Sequence, residues 1–173
     1  MAEFRIGTTS WKFPSWDGLV YSAPRGIDYL AEYSKLYDTV EVDQWFWSLF
    51  GTDRVRLPAA SDVESYRAAV PDHFRFSVKV PNAITLTHFY RKSKSDPLKP
   101  NPWFLSTDLF RRFLSSIEPL SDVLGPLMFQ FEYLGRQKMP SQGQFEDRFG
   151  AFVAGLPAGV QYALEIRNPQ LLQ

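Results

Sequence analysis

Glu41, Asp43, Lys79, Gln130, Glu165 and Arg167 are polar residues set into otherwise apolar segments, each on the minority phase of an alternating pattern. Val40 and Val42 alternate with Glu41 and Asp43. Phe74, Phe76, Val78 and Val80 alternate with Arg75, Ser77 and Lys79. In an extended chain successive side chains point to opposite faces, so every such segment has one apolar and one polar face. Two carboxylates in one cavity are driven to different pKa values and serve as general acid and base, the roles expected of Glu41 and Glu165. Lys79 suits an anion, or acts as a base or Schiff-base amine where it is desolvated. Arg167 suits a carboxylate or phosphate, and Asp43 and Gln130 join it as substrate-binding groups. An interior salt-bridge network is the competing reading, because buried charges must be paired and the signs alternate between segments.

His88 follows the central alternating segment in a stretch that also carries Asn82, Thr85 and Thr87. It suits a general acid or base or a metal ligand, and equally a histidine that holds loop backbone. His73 is the only other histidine. It precedes the segment and is expected to serve stability alone. A histidine-rich metal site cannot form, a carboxylate site with one histidine stays open, and no metal or cofactor is assigned. Trp11, Trp16 and Tyr21, with Trp45 and Trp47, are expected in loops at one end of the sheet. There they would stack sugar rings or bases, or else seal the core. Gly7-Thr-Thr-Ser10 is not a phosphate loop of the Walker form.

The elements that must position these groups alternate in type. Strands are expected over 4–8, 39–43, 73–80, 125–131 and 161–167. Helices are expected over 27–37, from a capping box at Ser61 to just before Pro71, over 107–118, and from Ser141 to Gly155. The stretch 92–102, with three prolines among lysines and serines, reads as a long exposed loop. Strand–helix alternation means β/α units and a parallel sheet. Helices on both sheet faces would demand nearly continuous apolar strands. One apolar and one polar face instead favours a (β/α) barrel over a doubly wound sheet, with the polar groups at the carboxyl ends of the strands, where such barrels carry function.

The chain has 173 residues, 45% hydrophobic and 22% charged, which suits one folded domain with a real core. Lys plus Arg and Asp plus Glu balance at 19 each, so nothing points globally to nucleic acid or an acidic membrane. With no cysteine, disulfides, thiolate metal sites and cysteine nucleophiles are excluded. No apolar run is long enough to span a membrane and the amino terminus lacks signal-peptide character, so a cytoplasmic protein is expected. Aromatics reach 16%.

In several places the sequence resembles the YecE-like family, also called domain of unknown function 72. Gly7-Thr8-Thr9-Ser10-Trp11 with Trp16 and Tyr21, Val40-Glu41, Phe74, Phe76 and Lys79 with Thr87-His88, Gly125 to Gln130, and Glu165 with Arg167 match its motifs in order. The resemblance implies a (β/α) barrel of the triosephosphate-isomerase type whose members usually continue past this carboxyl end, and it implies no established reaction. The chain departs from the pattern at Asp43-Gln-Trp-Phe-Trp47, where the family usually has Asn-Ser-Thr-Phe-Tyr, and at Glu132, which stands near a usual proline.

A full barrel takes about 250 residues, rarely below about 200. Residues 1–173 are therefore expected to be a single domain covering about the first five β/α units, the amino-terminal portion of a barrel. Its open edges would drive self-association. The expected function is that of a barrel enzyme, of hydrolase or isomerase type, acting on a small molecule or phosphate-bearing ligand. The alternative is a nucleic-acid or nucleotide-binding barrel without turnover. A third expectation is a fragment without activity, because strands six to eight would supply essential groups.

Overall fold

Parallel pairing of the alternating segments builds the fold. The computed structural model describes residues 4–51 and 54–169. Its main sheet holds β1 (Gly7–Thr9), β2 (Thr39–Val42), β5 (Arg75–Lys79), β6 (Leu124–Gln130) and β7 (Tyr162–Glu165), side by side in chain order and all parallel. A small antiparallel pair, β3 (Leu49–Phe50) and β4 (Arg54–Val55), stands apart after β2. Its two-residue strands are too short to show a period in the sequence.

The connections carry α1 (Tyr29–Tyr33), α2 (Ala60–Ala69), the one-turn α3 (Asn82–Thr85), α4 (Thr107–Ser116) and α5 (Gln142–Ala154). Ser106 Oγ accepts from the Leu109 N–H and Ser141 Oγ from the Gln144 N–H, satisfying helix-start donors that have no partner inside the helix. The helix expected over 27–37 is regular only from Tyr29 to Tyr33. Asp28 caps it by accepting from the Leu30 and Ala31 N–H groups. Beyond Tyr33 the chain tightens into turns, with Leu36 N–H bonded to Tyr33 O. The capping box at Ser61 does not form. Helix α2 has its N-cap two residues earlier, at Ala59, without a side-chain cap.

Val40, Val42, Phe76, Val78, Leu127, Phe129 and Phe131 are buried on the helix side of the sheet. Helices α4 and α5 lay Phe110 5.4 Å from Phe129, Phe152 5.5 Å from Phe129, and Phe145 5.2 Å from Phe131, the last two edge to face. Burying each such ring is worth about 2 kcal/mol, and edge-to-face pairs add about 0.5–1.5 kcal/mol. This layer accounts for many of the aromatics.

One strand expectation is corrected. The first strand is Gly7–Thr9 rather than 4–8, and Phe4 and Ile6 are 89% and 77% exposed instead of packed under helices. Pairing with β2 begins only at Gly7 opposite Thr39, so the residues before it run past the sheet. The expected barrel is not seen; the sheet is an open, parallel α/β layer in which β1 and β7 are the two ends and do not pair with each other among the described residues. Small closed barrels use about eight strands, which the five here do not reach. Among the described residues no helix is long and apolar enough to cross a membrane.

Candidate functional site

Register brings the polar residues to one face. Glu41 pairs with Ser77 and Val42 with Val78, so Lys79 lies one strand over and two residues further along than Glu41. A long amine spans that diagonal, and Lys79 Nζ stands 3.0 Å from Glu41 Oε1. The two side chains are only 16% and 18% exposed. From β1, Thr9 Oγ1 donates to the same Glu41 oxygen at 3.3 Å. Lys79 pairs with Met128, and two residues on Gln130 pairs with Glu165, which keeps Lys79, Gln130 and Glu165 on the same face.

The second half of that face is organised around Glu165. Gln130 Nε2 donates to Glu165 Oε2 at 2.6 Å, and Arg167 Nε lies 3.6 Å from Glu165 Oε1. The Arg167 guanidinium is mostly exposed. Just past β6, Lys138 Nζ sits 2.7 Å from Glu132. β6 runs between Lys79 and Glu165, so their backbones are roughly 10 Å apart in the sheet direction. The structure thus holds two clusters on one face, Thr9–Glu41–Lys79 and Gln130–Glu165–Arg167, with no direct bond between them among the described residues. Each contains a carboxylate with a hydrogen-bond donor and a cation, the parts needed for proton transfer beside a bound polar group.

His88 is half-buried next to Thr87, with Nδ1 3.0 Å from Thr87 Oγ1. Burial, then the nearby Lys138 ammonium, holds its imidazole below the usual histidine value, against the pull of Glu132. Asp43 follows β2 directly and its carbonyl accepts from the Phe46 N–H. His73 stands at the opposite end of β5, where its Nε2 lies 3.6 Å from Asp38.

The aromatics go elsewhere. Trp16 stacks on Tyr33 of α1 at 6.1 Å, and Tyr21 packs edge-on to Tyr29 while its hydroxyl donates to the Trp11 carbonyl. Trp11 and Trp45 pack on Tyr66 of α2, which stacks in turn on Phe76, a residue of the apolar sheet face. Trp11, Trp16 and Tyr21 therefore sit in the helix layer, on the far side of the sheet from Lys79. There a cleft of about 920 Å³ opens between α1, α2 and the loops after β1 and β2. The charged clusters do not line it. We take the clusters as the candidate site because they combine paired charge with partial burial.

Residues that the sequence reading passed over hold the site's frame. Asn82 Oδ1 accepts from Ser48 N–H, Ser48 Oγ and Leu49 N–H, tying the loop after β2 to the end of β5. Asn101 donates to the carbonyls of Ala83 and Leu86. Asn168 and Leu134 exchange two bonds after β7. All three amides are buried. A lone asparagine carries no spacing signal, so only tertiary contacts reveal these pins.

The family described as "Protein of unknown function DUF72" matches residues 5–173. A crystal structure of a DUF72 family protein from Enterococcus faecalis is similar at 22% identity with a TM-score of 0.61, over 98% of this chain and 52% of that one. A DUF72 family protein from Thermotoga maritima is similar at 19% identity with a TM-score of 0.52, over 96% of this chain and 58% of that one. These likenesses concern the fold. The chain spans little more than half the length of the solved structures it matches. No curated protein matches it.

Proposed function

Because the chain belongs to the DUF72 family, we propose that it is the amino-terminal portion of a (β/α) barrel enzyme whose site is the polar sheet face. The observation that carries this reading is the partly buried Lys79–Glu41 pair at 3.0 Å, on the same face as Gln130–Glu165–Arg167 and toward the carboxyl ends of the strands. In (β/α) barrels that end of the strands is the catalytic end. The length of the matched structures leaves room for further strands between β7 and β1.

In this reading Glu41 is the proton-transferring carboxylate and Lys79, 3.0 Å away, orients it. Glu165, fixed by Gln130, is the second carboxylate. The exposed Arg167 guanidinium docks a carboxylate or phosphate on a small substrate, with Asp43 beside the first cluster and His88 beside Glu132 and Lys138. The balanced charges on this face favour a small polar molecule over a polyanion.

The test compares wild type, Lys79→Met and Glu165→Gln for turnover of a panel of small phosphate esters and hydroxy acids. A fall in kcat of about 100-fold or more in both variants, with KM little changed, is expected. Turnover unaffected by both changes overturns the reading. Affinity for an oligonucleotide that falls steeply with salt and with Lys79→Met, without turnover, replaces the enzyme by a nucleic-acid binder.

A further inference from the structure

The helix-side cleft has chemistry of its own. We propose that it is a second binding site, separate from the charged face, for a neutral hydroxyl-rich ring ligand: a mono- or disaccharide. Trp11 and Trp45, which line it, are only 6% and 8% exposed. Among the described residues neither indole N–H has a hydrogen-bond partner, yet no buried side-chain nitrogen or oxygen lacks one. Both N–H groups therefore reach solvent from almost wholly buried rings, as two fixed donors at the cleft that both residues line.

Tyr66 is clamped between them, with Trp11 edge-on at 4.9 Å and Trp45 stacked at 5.4 Å. Its hydroxyl has no hydrogen-bond partner among the described residues. Burial, and then the nearby Asp62 carboxylate, pushes its pKa up to about 12, so it stays a donor and acceptor in neutral solution. Trp47, which also lines the cleft, is 61% exposed and offers a ring face for the C–H side of a sugar.

The charges on the cleft wall select against ions. Lys12 and Arg56 are balanced by Asp28 and Asp62. Asp28 is already committed to capping α1, and the Lys12 ammonium lies over the Tyr29 ring at 5.3 Å. The inner rings pack on one another and turn N–H and O–H edges rather than open faces to a ligand, an arrangement suited to the several hydroxyls of a sugar.

The test titrates the full chain with maltose, cellobiose, trehalose and glucose, followed by tryptophan fluorescence and saturation-transfer NMR, with adenosine as the competing probe. Saturable binding of at least one sugar is expected. Tyr66→Phe should weaken it about 2- to 12-fold by removing one hydroxyl, and Trp47→Ala, an exposed change, at least about threefold. Lys79→Met, on the other face, should leave sugar binding unchanged, so this result stands or falls apart from the enzyme reading. Absence of saturable binding by all four sugars, binding of adenosine alone, or sugar binding indifferent to both Tyr66→Phe and Trp47→Ala overturns the proposal.

Discussion

The Lys79 ammonium lies 3.0 Å from the Glu41 carboxylate, one strand across and two residues further along the sheet. Both side chains are largely withdrawn from water, so removing either partner strands a charge. Fully buried pairs broken in this way cost about 3–5 kcal/mol, and partial exposure lowers the expected cost here to about 1–3 kcal/mol. Glu41→Gln and Lys79→Met should each lose that much in urea unfolding. The double variant should lose less than the sum. Strict additivity would mean that the pair contributes nothing.

The two faces of β2 should respond differently to substitution. Val40 is fully buried under the helices, whereas Glu41 keeps contact with water. Val40→Asp places an unpaired charge in a close-packed layer and should cost on the order of 3–5 kcal/mol. Glu41→Leu should cost less. Equal denaturation midpoints would show that the assigned faces are wrong.

Two glycines should give opposite signs on conversion to alanine. A Cβ at Gly7 would sit 1.9 Å from the Thr39 carbonyl oxygen, a backbone atom that cannot step aside without parting β1 from β2. Gly150 lies inside α5 with open space where a Cβ would go. Gly150→Ala should therefore stabilise by about 0.5–1 kcal/mol and Gly7→Ala should destabilise. Thermal melts of the two variants decide the matter, and a stabilised Gly7→Ala would be the failing result.

Asn82→Ala should be among the costlier polar changes. It leaves three donors, Ser48 N–H, Ser48 Oγ and Leu49 N–H, without their common acceptor in a buried position. About 3 kcal/mol is expected, since each orphaned buried donor costs roughly 1–3 kcal/mol and relaxation recovers part of the sum. Hydrogen exchange at Ser48 and Leu49 should accelerate in the variant. Unchanged protection there would count against this role.

His88 links stability to pH. Its folded pKa is below the ordinary 6.5, from burial first and Lys138 second. Above about 6.5 the imidazole is neutral in both states, and its contribution is complete. As pH falls through 6.5 toward the depressed folded value, the unfolded chain takes up a proton that the folded chain resists, and stability is lost. His88→Gln should flatten that part of the stability curve. Urea midpoints measured across the slightly acidic range for both proteins check this, and identical slopes would sink it.

Much of the frame was legible because it is written in short-range periods. Alternation in Val40–Val42 and Phe74–Val80 set which side chains face the helices and which share the polar face. The helix start read at Ser141 forms, with Ser141 Oγ accepting from the Gln144 N–H. At Ser61 the same kind of motif misled, because the chain enters helical geometry two residues sooner, after Ala59. The strand expected over 4–8 slipped for a related reason: local β-character does not say where a pairing partner begins, and β2 meets β1 only from Gly7 onward.

By itself, then, the sequence determined the alternation of strands and helices, the apolar and polar phase of β2, β5 and β6, and the common face of Glu41, Lys79, Gln130 and Glu165, whereas at the first and last strands Phe4, Ile6 and Leu164 are exposed rather than packed under helices. Each of these follows from a repeat of two or about 3.6 residues along the chain. Tertiary structure alone decided that Trp11, Trp16 and Tyr21 belong to the helix layer, that Lys79 reaches Glu41 diagonally, that Asn82, Asn101 and Asn168 pin the loops, and that a cleft opens around Tyr66. Those outcomes depend on how segments distant in sequence fold back on one another, and no local period encodes that distance.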